Sequence, residues 1–481
     1  MKTIVMKFGG TSVAGAERIA GVVNIARDFQ QGRFPAAPEG GRLVIVVSAF
    51  SGVTDALIKA ARTAAGRDDQ TFRQVAQDLR QKHWAAIEAL VPFGERQADL
   101  RAQVEALVSS FENLCRAITI LGELTPRGFD AVVSLGERLS ARIVAAALAE
   151  AGIPSQTIEA TALIVTDDCF GEATPQMEAT RQKTRQVLLP LLEQGVVPVV
   201  TGFIAATADG VTTTLGRGGS DYTGAILGSC LDSDEIWIWT DVNGVLTADP
   251  RVVPEAHTLP YISYNEAAEL SYFGAKVLHP KTMLPALRGG IPIRTKNTFN
   301  PTHPGTLIVS EAEPARQGVR GITAIKGLSL VTVEGRGMMG VPGVAAKVFT
   351  AVAREGISVL MISQSSSEQN ICFVVPGASA APAVAALDRE FVVERSHQDI
   401  ERISAIGQVG VVAVVGAGMK GVPGIAARVF TALGRQAVNV VCIAQGSSEH
   451  NLSFVLEDKD IDSAVRAVHQ ECGLAKDAPL D

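Results

Sequence analysis

The sequence has few aromatic residues, no long apolar run and no excess of positive charge. Aromatic residues make up 5% of the chain, and the formal net charge is −7 because 43 basic residues face 50 acidic ones. The absence of a basic block excludes the electrostatic pattern of a nucleic-acid-binding protein. Apolar runs such as LVIVV and VVAVV are far shorter than the roughly 20 residues that a membrane helix needs. The composition therefore predicts no nucleic-acid partner and no membrane span.

Clustered metal ligands and a targeting segment are also missing from the sequence. The six cysteines and seven histidines form no C-x-x-C and no H-E-x-x-H pattern. The first residues, TIVMKFGG, follow the initial Met-Lys directly and do not have the order of a secretory signal. We therefore expect reduced thiols, a cytoplasmic protein and no metal ion held by the protein.

The first 310 residues alternate between short apolar runs and helical segments. The runs TIVMKF, LVIVVSAF, DAVVSL, VVPVVTGFI and EIWIWT have the composition of buried strands. Strands separated by helices favour a mainly parallel sheet that is covered on both faces. We predict an α/β domain over residues 1–310 and a polar linker over residues 311–325. The length of 481 residues leaves room for roughly three domains in all.

The remaining sequence repeats itself. Segment GRGMMGVPG at residues 335–343 returns as GAGMKGVPG at residues 416–424, and similar sequence follows each copy. This predicts two small α+β modules, over residues 326–405 and 406–470. Both segments match G-x-G-x-x-G, so a nicotinamide-dependent dehydrogenase is a rival interpretation. It requires an acidic residue about 20 positions on, and these strands end in Gln364 and Gln445 instead.

Two other glycine-rich turns carry charge. KFGGTSV places Lys7 before Gly9 and Gly10, at the end of a strand and the start of a helix. Backbone N–H groups, a helix N-terminus and a lysine together favour a phosphate site, although a turn that merely needs glycine is the alternative. LGRGGSDYTGA places Arg217 four residues before Asp221. Neither turn matches the P-loop pattern.

Further polar residues follow predicted strands. Thr240, Asp241 and Arg251 come after EIWIWT, where an α/β sheet binds ligands. Glu137 lies in the first turn of a helix, where the helix dipole alone also favours a carboxylate. Lys276 is a candidate phosphate contact, and His279 is better explained as a structural hydrogen-bonding residue. Phosphoryl transfer needs positioning and charge neutralisation, which this set of charges can supply.

These motifs, taken in order, resemble the aspartate kinase family. KFGGTSV, VVSAFSGVTD, SLGERLSA, LGRGGSDYT, TDVNGV, ELSYFGAKVLHP and the paired modules all appear. The resemblance implies an amino-acid-kinase-type αβα sandwich with a mainly parallel central sheet, followed by two ferredoxin-like βαββαβ ACT modules. It also implies that ATP phosphorylates the side-chain carboxylate of L-aspartate, with Mg²⁺ held mainly by the nucleotide phosphates.

The resemblance assigns a role to each matching residue. Lys7, Asp221 and Lys276 would be catalytic, with Asp221 orienting Lys7. The substrate would be bound by Ser48, Thr54, Glu137, Arg217 and Ser220. The nucleotide would be bound by Lys7, Gly9, Gly10, Thr240, Asp241, Leu246, Arg251 and Lys276. Leu246 departs from the aromatic residue that family members often carry near the adenine, so it would supply only an apolar wall.

The ACT modules imply feedback regulation and self-association. The predicted effector residues are Met338, Val341, Gly343, Gln364, Asn370, Gln445 and Asn451. Their glutamines favour threonine as the inhibitor, and lysine, alone or together with threonine, is the alternative. Such modules pair across subunits, which implies a homo-oligomer, unless they serve for dimerisation alone. In the family one module is often inserted in the other, so residues 470–481 are expected to complete the first.

Three interpretations stay open at the level of the sequence. Another kinase of the same fold, acting on glutamate, carbamate or a nucleoside monophosphate, is the nearest one. An amino-acid sensor without catalysis is the second, and the intact phosphate turns disfavour it. The third concerns extent: kinases of this kind are often fused to a homoserine dehydrogenase, so the sequence is either a monofunctional enzyme or part of a bifunctional one.

Overall fold

The computed structural model describes residues 2–275, 278–310 and 318–475. The chain forms two compact units. Unit one comprises Met1–Val245, Pro260–Tyr264 and Leu278–Glu311. Unit two comprises Leu246–Leu259, Asn265–Val277 and Ala312–Asp481. Two segments from within residues 1–310 therefore belong to the second unit, which the sequence did not predict.

Unit one is built around an eight-stranded sheet in the order β3-β5-β2-β1-β8-β10-β11-β9, with a three-stranded sheet β4-β6-β7 beside it. Every pair in the large sheet is parallel except β10 and β11. The strands are β1 (Lys2–Phe8), β2 (Gly41–Val47), β3 (Ser155–Ile158), β4 (Val165–Thr166), β5 (Val197–Thr201), β6 (Ile204–Thr207), β7 (Thr212–Thr214), β8 (Glu235–Thr240), β9 (Tyr261–Ser263), β10 (Ile293–Asn297) and β11 (Thr306–Val309).

Helices connect these strands, as a mainly parallel sheet requires. They are α1 (Ala16–Gln30), α2 (Val53–Ala65), α3 (Asp69–Leu90), α4 (Glu95–Leu121), α5 (Pro126–Val133), α6 (Leu135–Glu150), α7 (Met177–Glu193), α8 (Gly219–Cys230) and α10 (Pro280–Gly289). Helix α9 (Tyr264–Tyr272) belongs to unit two after its first residue. The predicted α/β class with a mainly parallel sheet is confirmed. On one face of the sheet Phe8 stacks on Trp239 with 5.7 Å between ring centroids, and both rings are fully buried.

One predicted strand is wrong. DAVVSL lies mostly in α5, whose N-cap Thr125 accepts a hydrogen bond from the Gly128 amide, and Pro126 occupies the first helical position. Proline there is favourable because its fixed φ suits a helix and its missing N–H would be unpaired anyway. Glu137 therefore follows a helix instead of a strand.

Unit two contains a six-stranded antiparallel sheet in the order β13-β14-β12-β15-β17-β16. Its strands are β12 (Gly321–Glu334), β13 (Met361–Gln364), β14 (Asn370–Pro376), β15 (Arg402–Val415), β16 (Cys442–Gln445) and β17 (Asn451–Glu457). Its further helices are α11 (Val344–Arg354), α12 (Ala380–Glu390), α13 (Val392–Ser396), α14 (Ile425–Arg435) and α15 (Ile461–Glu471). The predicted pair of ferredoxin-like modules is confirmed.

The two long strands β12 and β15 are shared between the modules. The second half of β12 pairs with β14 in the first module, whereas residues 321–325 pair with residues 411–415 in the second. Residues 321–325, which the sequence places in the linker, therefore form a fourth strand of the second module, although they precede its other strands in the sequence. The first half of β15 is the strand that completes the first module. Residues 470–475 therefore do not complete it, and Cys472 and Leu474 pack against the core of the second module. Residues 476–481 lie outside the described residues.

Each module has its own apolar core. Val331, Phe373 and Leu387 are buried in the first, and Val412, Phe454 and Val468 in the second. In the described ranges of both units, every helix is too short or too polar to cross a membrane.

Candidate active site

Polar groups of unit one gather at the edge where its parallel strands end. The register aligns Phe8 of β1 with Val47 of β2 and Trp239 of β8, and Val47 with Thr201 of β5. The segments after these strands therefore begin side by side. Open α/β sheets bind ligands outside this carboxyl edge.

Lys7 and Asp221 form an ion pair at this edge. Lys7 Nζ lies 2.6 Å from Asp221 Oδ1, and Lys7 is only 8% exposed. Asp221 is in the first turn of α8. The N-cap of this helix is Gly218, which has a left-handed backbone conformation with φ 71°. The lysine is held in one place by the pair, so its charge is positioned before any ligand arrives. The structure thus brings these two candidate residues together.

The turn after Lys7 is tightly packed. A Cβ on Gly10 would lie 3.0 Å from the Ala49 carbonyl oxygen, so the backbones approach closely at this point. The Gly9 amide donates to the Trp239 carbonyl at 3.2 Å and so joins β1 to β8. Ser12 Oγ lies 2.7 Å from Thr298 Oγ1, which ties the turn to the segment after β10.

Glu137 is a buried carboxylate with capacity for another hydrogen bond. It is 3% exposed, and its Oε1 accepts from the Ala49 amide at 3.2 Å. Its Oε2 is buried and has no hydrogen-bond partner among the described residues. Burial raises the pKa of Glu137 to about 8, against opposing hydrogen bonds and the charge of Lys7. A cationic donor at Oε2 would satisfy this oxygen. Ala49 connects it to the glycine turn, since Ala49 also contacts Gly10.

The loop that carries Ser48 is supported from α3. The Ser48 amide donates to the Phe8 carbonyl at 3.1 Å, and Lys82 Nζ donates to the Ser51 carbonyl at 2.6 Å. Phe50 stacks on buried His83 with 4.6 Å between ring centroids. Thr54, in the first turn of α2, is half-buried. Sequence reasoning missed Lys82 and His83, because nothing in α3 indicates which loop its side chains contact.

Asp130 is a third residue that sequence reasoning missed. It is fully buried and accepts hydrogen bonds from the Thr214 amide, the Thr214 hydroxyl and the Gly171 amide. Burial raises the pKa of this carboxyl. Asp130 thereby anchors β7 just before the turn that holds Arg217. Its position inside DAVVSL, which the sequence interpreted as a strand, concealed the role.

Other predicted residues differ in placement. Ser220 is buried, and a Cβ on Gly202 would lie 2.7 Å from its Oγ. Arg217 is exposed. Thr240 ends β8, and its Oγ1 donates to Asp241 Oδ1 at 3.3 Å.

Three residues of the predicted nucleotide set lie elsewhere: two belong to unit two, and one lies outside the described residues. Leu246 and Arg251 are in unit two, where Arg251 forms a bidentate pair with Asp249 at 2.6 and 3.0 Å and its side chain is 83% exposed. Lys276 lies outside the described residues.

The predicted effector residues lie around the two module turns. Gly343 is a left-handed N-cap with φ 94°, Met338 is buried, and Val341 is 51% exposed. The glutamines end their strands and the asparagines begin theirs, at matching positions in the two modules: Gln364, Gln445, Asn370 and Asn451. Asn451 differs from Asn370, since its Nδ2 donates to Glu269 Oε2 at 2.8 Å.

Family models match both the amino-terminal part of the chain and the two repeated modules. Residues 2–297 match the model of the amino acid kinase family, and residues 331–391 and 412–472 match that of an ACT domain.

Relatives of known sequence are aspartokinases. The bifunctional aspartokinase/homoserine dehydrogenase 1, chloroplastic, of Zea mays is 38% identical over 480 residues, which cover 98% of this chain and 50% of that protein. Aspartokinase 2, chloroplastic, of Arabidopsis thaliana is 33% identical, with 97% and 84% covered. The chain thus spans about half the length of the bifunctional relatives it matches.

Solved structures of E. coli aspartokinase III share the fold. The complex with aspartate and ADP in the R-state has a TM-score of 0.80 at 30% identity, covering 98% of this chain and 99% of that one. The complex with lysine and aspartate in the T-state has a TM-score of 0.79 at 31% identity, covering 98% and 100%.

Proposed function

This chain belongs to the aspartokinase family, and we propose that it transfers the γ-phosphoryl group of ATP to the side-chain carboxylate of L-aspartate. The product would be 4-phospho-L-aspartate, at the head of the route to lysine, threonine and methionine. The observation that carries the proposal is that the charge of Lys7, which is paired with Asp221, acts on the buried carboxyl of Glu137, whose Oε2 has no hydrogen-bond partner among the described residues. The Lys7 ammonium suits a phosphate, and the Glu137 carboxylate suits an α-ammonium.

In this proposal each charged group has one task. Lys7 neutralises the transferring phosphoryl group, and Asp221 keeps the lysine in position. Glu137 loses its proton as the substrate binds and accepts the substrate ammonium at Oε2. Arg217 clamps the α-carboxylate, with Ser48, Thr54 and Ser220 around the substrate. No general base is required, because an ionised carboxylate is already a nucleophile.

The nucleotide is assigned to the same edge. Gly9, Gly10, Thr240 and Asp241 lie in the segments after β1 and β8, which are adjacent strands. The sequence also predicts Leu246, Arg251 and Lys276 as nucleotide residues, and these three stay predictions. Mg²⁺ would accompany the nucleotide, held mainly by its phosphates, and would neutralise charge on them. Asp221, which is paired with Lys7, would face this cluster.

A hydroxamate assay tests the reaction. The protein is incubated with ATP, hydroxylamine and either aspartate or glutamate, and the acyl hydroxamate is measured. We expect aspartyl hydroxamate and little glutamyl hydroxamate. Trapping of the glutamyl product alone would favour the rival kinase of the same fold, and no product with either would contradict catalysis.

We also propose regulation through the ACT modules, with threonine as the favoured inhibitor and lysine as the alternative. Gln364 and Gln445 support threonine, whereas the lysine complex of the E. coli relative supports lysine. Exposed apolar side chains on the module sheet, including Ile362, Ile406 and Ile443, support self-association there. Inhibition assays with each amino acid, and sedimentation of the protein with and without it, test both points.

A further inference from the structure

Asp130 joins helix α5 to the strand that precedes Arg217. Its Oδ2 accepts hydrogen bonds from the Thr214 amide and the Gly171 amide, both at 2.9 Å, and its Oδ1 accepts from the Thr214 hydroxyl at 2.8 Å. Asp130 is fully buried, and Thr214 is 1% exposed. A hydrogen bond to a buried acceptor is costly to lose, because the acceptor then keeps its desolvation penalty. The end of β7 is therefore fixed to α5 at Thr214.

Asp130 and Glu137 lie on one nearly continuous helical segment. Ser134 is both the C-cap of α5 and the N-cap of α6, and its φ of −62° and ψ of −18° are helical. Residues seven positions apart are two turns apart on one helix face, at a distance along the axis of about 10 Å. Both carboxyls are buried. The segment thus carries the carboxylate that we assign to the substrate ammonium and, two turns before it, the residue that holds β7.

The turn that carries Arg217 is anchored at its two ends. Thr214 is the last residue of β7, and Gly218 is the N-cap of α8. Between them the backbone turns tightly, since Gly216 and Gly218 have left-handed φ values of 75° and 71°. The Arg217 guanidinium forms no hydrogen bond or ion pair with the residues that the structure describes. The backbone at the two ends of the turn therefore sets where this cation starts.

The loop of Gly171 supports the same turn. A Cβ on Gly216 would lie 3.3 Å from the Gly171 carbonyl oxygen, and the Ala173 amide donates to the Thr214 carbonyl at 2.9 Å. Asp130 accepts from the Gly171 amide, so it holds this loop as well as β7. One buried carboxyl thus fixes both backbones that lie under the turn.

Resting on the proposed function, we propose that Asp130 is a positioning residue for recognition of the substrate's α-carboxylate. By holding Thr214, it fixes the turn of Arg217 relative to the helical segment that carries Glu137. The spacing between the carboxylate clamp and the ammonium acceptor is then set before the substrate binds. Asp130 is fully buried and does not touch the substrate. A ligand that lacks the α-carboxylate does not use the turn, so its binding should not depend on this contact.

Thr214→Val in the full-length protein tests the proposal. The change keeps the shape of the side chain and the backbone amide, and it removes only the hydroxyl that donates to Asp130. We expect the dissociation constant of L-aspartate, measured by equilibrium binding, to rise about three- to tenfold. The dissociation constant of β-alanine, which lacks the α-carboxylate, should change by less than about twofold. Thr214→Ser keeps the hydroxyl and should bind both ligands as wild type does. Equal weakening of both ligands by Thr214→Val, or no weakening of aspartate, would overturn the proposal.

Thr213→Val is the matched control, since it is the same change one position earlier in β7. Thr213 is also fully buried, and its hydroxyl lies 2.8 Å from Thr166 Oγ1 on a path that does not include Asp130. It should bind aspartate and β-alanine within about twofold of wild type. Circular dichroism and urea unfolding verify that both valine variants are folded. If Thr213→Val weakened aspartate selectively as much as Thr214→Val, the effect would belong to β7 in general and the proposal would fail.

These binding measurements need no turnover, so they separate the role of Asp130 from the proposed reaction. If wild type forms no aspartyl hydroxamate while Thr214→Val still weakens aspartate selectively, the positioning role stands and the proposed reaction fails. If wild type forms the hydroxamate and Thr214→Val binds both ligands as wild type does, the reaction stands and the positioning role of Asp130 is wrong.

Discussion

The glycine turn of unit one and the glycine turns of the ACT modules have the same local plan and different surroundings. Each follows a strand and precedes a helix, and GRGMMGVPG even matches a dinucleotide motif. In unit one the cation of the turn is Lys7, 8% exposed and paired with Asp221. In the modules the cations Arg336 and Lys420 are exposed. The comparison teaches that glycine spacing does not distinguish these turns, whereas a buried and paired charge does.

The largest effect should follow from removing the buried cation. We expect Lys7→Ala to lower kcat by about 10²–10³-fold, because one preorganised group that stabilises developing charge contributes this much. The measurement is kcat for aspartate and ATP at saturating concentrations of both.

Arg336→Ala is the control in a module turn, since it removes an exposed cation. It should leave kcat unchanged, and circular dichroism should report a folded protein for both variants. If Lys7→Ala kept kcat within a few-fold of wild type, the distinction between the two kinds of turn would be lost.

Removing the charge of Glu137 should have the next largest effect. Glu137→Gln keeps an acceptor for the Ala49 amide and loses the charge that we assign to the substrate ammonium. We expect KM for aspartate to rise about 10- to 100-fold with a smaller change in KM for ATP. An equal rise in both constants would indicate that Glu137 supports the fold of the edge and does not bind the substrate.

The pH dependence of substrate capture should identify the same group. Because burial raises the pKa of Glu137 to about 8, the free protein holds this carboxyl largely protonated at neutral pH. We expect kcat/KM for aspartate to increase with pH up to about 8, and Glu137→Gln to lose that rise. A wild-type profile that is flat over this range would contradict the assignment.

The same pKa predicts a stability effect of known sign. The folded state binds the proton of Glu137 more tightly than the unfolded state, whose carboxyl has the ordinary pKa of 4.5. The contribution of this group to the free energy of unfolding is therefore lost as pH rises from about 4.5 to 8. Urea unfolding of wild type and Glu137→Gln across this range measures it, and parallel curves would disagree with a buried carboxyl.

Sequence patterns predicted what is local and missed what depends on packing. Strand and turn chemistry singled out Lys7 and Asp221, which the structure shows as an ion pair, and repetition identified both modules. DAVVSL failed because two consecutive valines suit a buried helix as well as a strand, and Pro126 decided for the helix. The contacts of Asp130, Lys82 and Glu269 join residues that are far apart in the sequence, which no spacing rule encodes. For the same reason β12 could not be recognised as a strand shared between modules.

The smallest effect should come from the carboxylates that the module turns already hold. Glu368 Oε2 accepts from the Gly340 amide at 2.8 Å, and Glu449 Oε2 accepts from the Gly421 amide at 2.6 Å. These amides precede α11 and α14, so the helix dipole favours the negative charge. Glu368→Gln and Glu449→Gln should each lower the free energy of unfolding by less than about 1 kcal/mol, because the contacts are exposed to solvent. Urea unfolding measures this loss, and kcat should stay at the wild-type value in both variants. A loss of several kcal/mol, or a fall in kcat like that of Lys7→Ala, would mean that the module turns depend on charge as the kinase turn does.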